Sequence, residues 1–152
     1  MQRLTGEYEC KVDAKGRLRM PSSLLRQLPS DNLTFTVNRG FEKHLILYPN
    51  EDWLKKAEEI DSRLNENISA EREVLRHFYG GATEVSLDGS NRILLPKTLV
   101  KYADITNSIM LFAMKRQIEI WSLDKYNEMI SKEPVNFTQF VDEIFGKPVD
   151  KK

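Results

Sequence analysis

The stretch Asp13-Ala-Lys-Gly-Arg-Leu-Arg-Met-Pro21 returns later in the chain as Asp88-Gly-Ser-Asn-Arg-Ile-Leu-Leu-Pro96. Both copies read Asp-x-x-x-Arg followed by a proline, at a constant offset of 75 residues. Gly6 and Gly81, and Leu24 and Leu99, share that offset without a gap. A repeat of this kind predicts two structural units of one type within the 152 residues.

Each copy predicts the same succession of elements, namely a strand, a polar turn, a strand, a short helix and a hairpin. The hairpin strands are Leu33–Val37 and His44–Tyr48 in the first half, and Ile109–Met114 and Gln117–Trp121 in the second. Residues 38–40 are expected to form the first hairpin turn. Pro21 and Pro96 suit the first turn of the short helices, where a missing N–H costs nothing.

Three further helices are predicted from apolar residues at helical spacing. One covers Glu51–Glu66, a second is capped by Ser69 and ended by Gly80-Gly81, and a third is capped by Ser122 and ends at Glu133-Pro134. The last apolar run is expected to pack on the chain's own core or on a neighbouring subunit. Its members are Phe137, Phe140, Val141, Ile144 and Phe145.

The composition limits the classes of function. Lysine and arginine number 23, as do aspartate and glutamate, so binding to a polyanion must use a local patch. Residues 1–26 hold six bases and three acids, whereas residues 49–76 hold five bases and eight acids. A single cysteine, short apolar runs and the absence of a secretory signal at residues 1–7 predict a cytosolic protein without a membrane span.

The loop Asp13-Ala-Lys-Gly-Arg17 is the sharpest candidate for chemistry. Gly16 permits a tight reversal that displays Lys15 for phosphate oxygens and Arg17 for guanine O6 and N7. Asp13 is expected to accept turn N–H groups or to hold the guanidinium. The alternative is an ordinary hairpin turn with solvated charges.

The sequence shows no set of residues typical of an enzyme active site. His44 and His77 lack metal-ligand spacing, and Cys10 lies in a predicted strand without an adjacent base. A hydrolase using Asp13 or His77 would lack a recognisable set of nucleophile, base and orienting group. We expect no catalytic residue, no metal, no cofactor and no small-molecule substrate.

These motifs together resemble the MraZ family, the bacterial transcriptional regulators of the division and cell wall gene cluster. The resemblance covers residues 5–130 and includes the opening Gly6-Glu-Tyr, both Asp-x-x-x-Arg motifs, Leu47-Tyr-Pro49 with Trp53, and the helix from Ala70 into Gly81. It implies an α+β, mainly β fold of two tandem swapped-hairpin repeats of the SpoVT-AbrB type. These repeats would form a pseudo-dimeric β-barrel with added helices.

The resemblance also implies domain limits and a function. The first repeat would cover residues 7–54, a helical connection 55–80, the second repeat 81–127, and a C-terminal helix and tail 128–152. The protein would be a nucleoid-associated repressor of its own operon. It would assemble as a ring, an octamer or larger, and bind direct repeats in double-stranded promoter DNA.

Site residues follow from the same resemblance and from the local charge. The expected DNA-binding residues are Lys15, Gly16, Arg17, Arg19, Arg3 and Arg92. The expected loop-structuring residues are Asp13, Asp88, Asn91, Pro21 and Pro96. Because Ser90 and Asn91 replace Lys15 and Gly16, the first repeat is expected to dominate DNA contacts. A rival hypothesis is a protein-binding module, since AbrB-like folds also occur in antitoxins, with residues 137–145 docking on the partner.

Overall fold

The computed structural model describes residues 3–29, 33–132, 134 and 136–146. Their fold is α+β, with most strands in one antiparallel sheet. The strands are β1 (Gly6–Lys11), β2 (Arg17–Arg19), β3 (Thr34–Arg39), β4 (Leu45–Pro49), β5 (Thr83–Ser86), β6 (Arg92–Leu94), β7 (Ser108–Met114) and β8 (Gln117–Ser122). The helices are α1 (Ser22–Leu25), α2 (Asn50–Arg63), α3 (Ser69–Tyr79), α4 (Lys97–Tyr102), α5 (Leu123–Ser131) and α6 (Phe137–Phe145).

The main sheet exchanges strands between the two halves of the chain. Its six strands lie in the order β1-β7-β8-β4-β3-β5. Strand β1 of the first half pairs with β7 of the second, and β5 of the second half pairs with β3 of the first. The two hairpins meet where β4 pairs with β8. The sheet is open at β1 and β5, and the closed β-barrel stays a prediction.

A separate two-stranded ribbon joins the halves a second time. Strand β2 pairs antiparallel with β6, and Leu18 lies opposite Ile93. Both of these side chains are fully buried, while their neighbours along each strand point outward. Because the strands are antiparallel, the two Asp-x-x-x-Arg loops lie at opposite ends of this ribbon.

The hydrophobic core fills the space between the inner face of the main sheet, the ribbon, α1 and α4. Leu24, Leu28, Leu99 and Ala103 are buried on the core side of the short helices, and Leu25 and Val100 are partly buried against the same core. The other face of the sheet is covered by α2 and α3 over β3 and β4 and by α5 over β7 and β8. There the Trp53 ring lies 5.5 Å from the rings of both Tyr48 and Phe78.

The predicted order of elements is confirmed, but one turn is displaced. Asn38 and Arg39 belong to β3, and the reversal lies at residues 40–44. Asn38 is buried, and its Nδ2 donates to the carbonyl oxygen of Phe78 at 2.6 Å. This tertiary hydrogen bond satisfies the side-chain amide, so the residue's preference for turns is overridden.

Several helix boundaries also differ from the sequence prediction. Pro21 and Pro96 directly precede α1 and α4 as extended N-cap residues and are not part of the first turn. Ser69 does not cap α3, since it is the first helical residue and Ile68 takes the N-cap position. Ser122 does cap α5, and its hydroxyl accepts from the Lys125 N–H at 3.5 Å.

The C-terminal helix α6 does not pack on the core of its own chain. None of its residues is buried, and four large apolar side chains are exposed to between 46% and 80%. These are Phe137, Phe140, Ile144 and Phe145. The sequence left two packing partners open for this segment, and the prediction that it packs on the chain's own core is therefore wrong. Within the described ranges, no helix has the length and apolar character needed to cross a bilayer.

Removing the side chain at the centre of the ribbon should weaken both halves together. Leu18→Ala is expected to lower the free energy of unfolding by about 2–5 kcal/mol, because a cavity forms in a closed core. Urea unfolding would be followed separately by Trp121 in a Trp53→Phe background and by Trp53 in a Trp121→Phe background. In each background the midpoint should fall relative to that of its own Leu18 parent, and the loss of free energy should be the same.

The matched control for this change is Leu94→Ala. Leu94 lies on the same ribbon but is 57% exposed, so its truncation should change the free energy of unfolding by no more than about 0.5 kcal/mol. Unequal losses of unfolding free energy in the two tryptophan backgrounds, each measured against its own Leu18 parent, would contradict a single core shared by both halves.

Candidate nucleic-acid interface

The first loop is held by the carboxylate of Asp13. Its Oδ1 accepts the backbone N–H groups of Lys15 and Arg17 at 3.0 and 2.9 Å. Its Oδ2 accepts Nε of the Arg17 side chain at 2.8 Å. One carboxylate therefore fixes both the backbone of the loop and the direction of the guanidinium.

The second loop repeats this geometry bond for bond. Oδ1 of Asp88 accepts the N–H groups of Ser90 and Arg92 at 2.8 and 2.9 Å, and Oδ2 accepts Nε of Arg92 at 2.9 Å. The loops differ at three of their five residues, yet the aspartate and the arginine make the same hydrogen bonds in both.

The tight reversal requires a positive φ in each loop. Gly16 has a φ of 87° and Asn91 a φ of 59°, and both are residue types that tolerate this region. A Cβ on Gly16 would lie 2.9 Å from the carbonyl oxygen of Leu95. The glycine is thus required both by its φ and by the close approach of the neighbouring strand.

The two loops are tied to one another by the ribbon. The carbonyl oxygen of Gly16 accepts the Leu95 N–H at 2.8 Å, and the carbonyl oxygen of Asn91 accepts the Met20 N–H at 2.9 Å. Each loop is therefore bonded to the strand that leaves the other loop. Their spacing is set by the backbone and does not depend on flexible side chains.

The outward face of the ribbon, formed by Arg17, Arg19, Arg92 and Leu94, brings three guanidinium groups together. Arg19 lies directly opposite Arg92, and Arg17 directly opposite Leu94. Like charges placed opposite each other on a ribbon are destabilising. Arg19 forms no ion pair with any residue that the structure describes. Asp88 partly offsets the charge of Arg92, so the excess positive charge of this face lies mainly on Arg19, and an anion beside it would be favourable.

The aspartates leave the recognition ends of the arginines available. Asp13 and Asp88 bind Nε only, and the structure shows no hydrogen bond from the terminal Nη groups of Arg17 or Arg92 to a described residue. Those Nη groups form the fork that can meet two acceptors on a guanine or a phosphate. The side chains of Arg17 and Arg92 are 35% and 31% exposed.

The structure does not bring every predicted site residue to this surface. The N–H of Leu4 donates to the carbonyl oxygen of Lys115, so the adjoining Arg3 lies beside the β7–β8 turn. Strand β1 separates Arg3 from the first loop by about 20 Å at 3.3 Å per residue. Arg3 is therefore not part of the outward face, because β1 runs extended through the sheet instead of folding back.

The surroundings of His44 and Cys10 argue against a catalytic or metal-binding role for either residue. His44 is buried in the turn before β4, where its ring stacks on Trp121 at 4.4 Å and its Nε2 lies 3.6 Å from Glu119. Burial raises the pKa of the Cys10 thiol, which disfavours a nucleophilic thiolate. Within the described part of the chain, no three His, Cys, Asp or Glu side chains converge to hold a metal ion.

The sequence did not predict which residues of β2 and β6 lie opposite each other across the ribbon. The alternation Arg17-Leu-Arg19 and Arg92-Ile-Leu94 indicates that the first and third residues share a face. It does not give the register that sets Arg19 against Arg92, because that register depends on a contact between segments 75 residues apart.

The fold and the site define a class of protein in which two copies of an Asp-x-x-x-Arg loop, joined by a two-stranded ribbon, form one cationic surface. The family model for the MraZ protein, described as antitoxin-like, matches residues 4–77 and 78–146. The chain is 37% identical over 148 residues to the transcriptional regulator MraZ of Christiangramia forsetii, covering 96% of this chain and 95% of the relative. It is 35% identical to that of Flavobacterium psychrophilum, covering 99% and 96%, and 35% identical to that of Cytophaga hutchinsonii, covering 91% of each.

The chain therefore belongs to the MraZ family. The relatives named above are transcriptional regulators, and the family is not one of enzymes. The expectation that the chain is not an enzyme is confirmed by this membership.

The pKa values of Asp13 and Asp88 should lie below the ordinary value of an aspartate. In each, the backbone N–H of the following arginine is the largest cause of a lowered pKa, and the arginine side chain contributes further. Stability from these groups is present above the ordinary aspartate pKa of about 3.9 and is lost as the pH falls through the lower folded pKa. Carbon-detected NMR titration of the carboxyl groups would measure both values.

Arg17→Lys provides an internal control for this titration. It removes the Nε contact but keeps both backbone donors, so the pKa of Asp13 should rise and still stay below the ordinary value. The pKa of Asp88 should not change, because its own arginine is intact. An Asp13 carboxyl that titrates at the ordinary value in the unmodified protein would contradict the loop geometry.

Proposed function

We propose that this protein is a sequence-specific DNA-binding repressor of its own operon in the division and cell wall gene cluster. It would bind direct repeats in double-stranded promoter DNA through the two Asp-x-x-x-Arg loops. The observation that carries this proposal is the outward face of the β2–β6 ribbon, which places Arg17, Arg19 and Arg92 together. Arg17 and Arg92 are each held by an aspartate through Nε alone, and Arg19 has no acid partner among the described residues. The naming of its relatives as transcriptional regulators supports it.

The shape of the ribbon suits a major groove. Two strands about 4.8 Å apart, with side chains on the outward face, fit a groove about 12 Å wide. Both Asp-anchored arginines would present their Nη forks to base edges, where guanine offers O6 and N7 together. Their carboxylate partners keep the forks oriented before DNA arrives, which reduces the entropy lost on binding.

The two loops would contribute unequally to DNA binding. Lys15 projects a cation that can reach a phosphate, whereas Ser90 at the equivalent position cannot. Arg19 is exposed and unpaired among the described residues, and it adds a further cation to the first repeat. We therefore propose that the first repeat supplies most of the phosphate contacts, and that the second contributes Arg92.

The exchange of β1 and β5 between the halves supports the finer fold proposal. In it, the halves form a SpoVT-AbrB-type pseudo-dimer of swapped hairpins that closes as a β-barrel. Pro21 and Pro96 would fix the exit of each ribbon strand into its helix. A protein acting on promoter DNA would work in the cytoplasm, on the nucleoid.

One ribbon offers too little surface for firm operator binding, which buries on the order of 1,000 Å² or more of protein. We propose that copies assemble into a ring, an octamer or larger, so that several ribbons bind successive repeats with avidity. Repeats spaced about one helical turn, near 10 base pairs, would suit this arrangement. A bound ring would then cover promoter sequence that polymerase needs.

The exposed apolar face of α6 is the proposed contact between copies. Its residues recur at positions i, i+3, i+4, i+7 and i+8, which makes a continuous stripe along the helix. A ring requires a heterologous contact, in which this stripe meets a different surface on the next copy. Exposed Leu54 on α2 and Val74 on α3 offer such a surface.

Arg17→Ala is expected to abolish selective binding to the promoter region upstream of the chain's own coding sequence. Losing the guanidinium removes a bidentate base contact, and a mismatch of this kind costs about 1–3 kcal/mol at every repeat that the ring engages. Binding would be measured by mobility shift against unrelated DNA of equal length.

Arg63→Ala on α2 is the matched control, since it removes an exposed arginine far from the ribbon. Lys15→Ala should instead weaken binding to all sequences and reduce the salt slope by about one unit per copy in contact. Undiminished selective binding by a folded Arg17→Ala protein would exclude the proposed role of the loop.

Phe140→Asp should convert the assembly into smaller species, because it places a charge in the apolar stripe of α6. Sedimentation velocity would show the loss of the large species at equal protein concentration. Thr138→Asp, on the same helix but outside the stripe, should leave assembly intact. A full ring with Phe140→Asp would rule out α6 as the contact, whereas a co-purifying stoichiometric partner that binds α6 would favour a protein-binding module.

A further inference from the structure

Leu94 is an apolar side chain on a cationic surface, at the end of the ribbon that carries the first loop. It is the last residue of β6 and lies directly opposite Arg17. Its side chain is 57% exposed, whereas the neighbouring Ile93 is fully buried. A Cβ placed on Gly16 would lie 3.8 Å from Cδ1 of Leu94. The leucine therefore sits against the tip of the first loop, next to its displayed cations.

The position of Leu94 breaks the symmetry of the ribbon. The offset of 75 residues relates Arg17 to Arg92 and Arg19 to Leu94. The two ends of the outward face thus carry the same Asp-anchored arginine but differ in the second residue, which is an arginine at one end and a leucine at the other. Scattered exposed leucines are ordinary on protein surfaces; this one shares a face with three guanidinium groups.

An apolar side chain on a surface that enters the major groove has one apolar group to contact on the DNA. In the major groove, the base edges present hydrogen-bond donors and acceptors, and the C5-methyl group of thymine is the apolar feature. A leucine side chain gains by covering that methyl group and has nothing to offer a guanine, whose O6 and N7 would be left without donors. Arginine has the reverse preference.

The ribbon geometry fixes where the thymine would lie. Alternate residues on a strand are about 6.6 Å apart, which corresponds to roughly two base-pair steps of 3.4 Å. Leu94 and Arg17 are at one level of the ribbon, and Arg19 and Arg92 are at the next level on the same face. A thymine facing Leu94 would therefore neighbour the base read by Arg17 and lie about two base pairs from the level of Arg19.

We propose that Leu94 is a specificity-determining residue that contacts the C5-methyl group of a thymine in the operator. Together with Arg19 at the equivalent position of the first repeat, it makes the two ends of the ribbon read different bases. The protein would then bind each site in one direction only. This inference rests on the proposed function, since it requires the outward face to enter the major groove.

Uracil interference tests this directly, because uracil differs from thymine only by the missing methyl group. The probe is a DNA fragment from upstream of the chain's own coding sequence, amplified so that uracil randomly replaces some thymines. Bound and free fractions are separated and cleaved at uracil to map each position. For the unmodified protein we expect uracil to be depleted about fourfold from the bound fraction at one thymine per repeat, the effect of one uncovered methyl group.

Leu94→Ala should abolish depletion at those thymines and leave any other interfering position unchanged. Leu94→Met, which keeps an apolar tip, should retain the depletion. Arg19→Ala should weaken binding overall yet leave the uracil signal in place, so the signal is specific to the leucine and not to the ribbon as a whole. Circular dichroism would establish that each variant is folded.

An unchanged pattern of uracil depletion in Leu94→Ala would overturn the assignment, as would selective binding by the unmodified protein with no thymine at which uracil interferes. Failure of the proposed function looks different. In that case the unmodified protein would not prefer the upstream fragment even when it contains only thymine, and the inference about Leu94 would fall with it.

Discussion

The pairing of β2 with β6 is the constraint on which the site depends. It buries Leu18 against Ile93 at the junction of the two halves and leaves the alternate residues outside. The same pairing bonds each Asp-x-x-x-Arg loop to the strand leaving the other. If this ribbon did not form, the two loops would be separate surface turns. With it, they become opposite ends of one recognition surface.

Electrostatics at this surface favours binding over stability of the free protein. Each loop aspartate accepts three hydrogen bonds, which holds its pKa low and keeps it ionised across the physiological range. The charges of Asp13 and Asp88 orient and partly offset two arginines, but Arg19, which lies opposite Arg92, has no acid partner among the described residues. Surfaces with uncompensated like charges at close range commonly mark a binding site for an ion of the opposite sign.

The two repeats have kept the same backbone while their surfaces have diverged. Asp88 and Arg92 make the same bonds as Asp13 and Arg17, even though glycine is replaced by asparagine at the positive φ. Equivalent buried positions stay apolar, as Leu18 and Ile93 do, whereas an exposed position changes from the charged Arg19 to the apolar Leu94. A pseudo-symmetric scaffold can in this way present unequal ends to a partner. The exposed stripe on α6 is a second unequal feature, since no counterpart of it occurs in the described part of the first half.

The sequence by itself determined the repeat, the order of elements and the chemistry of each loop. These are local matters, since the bonds from Asp13 reach no farther than four residues along the chain and a short motif encodes them completely. Only the tertiary structure decided which strands pair across the halves, that Arg3 lies far from the loops, and that Asn38 enters a strand. The register that sets Leu94 opposite Arg17 belongs to the same group. Each depends on how side chains from distant segments share one core, and that packing is settled by burial over the whole chain, beyond the reach of any local pattern.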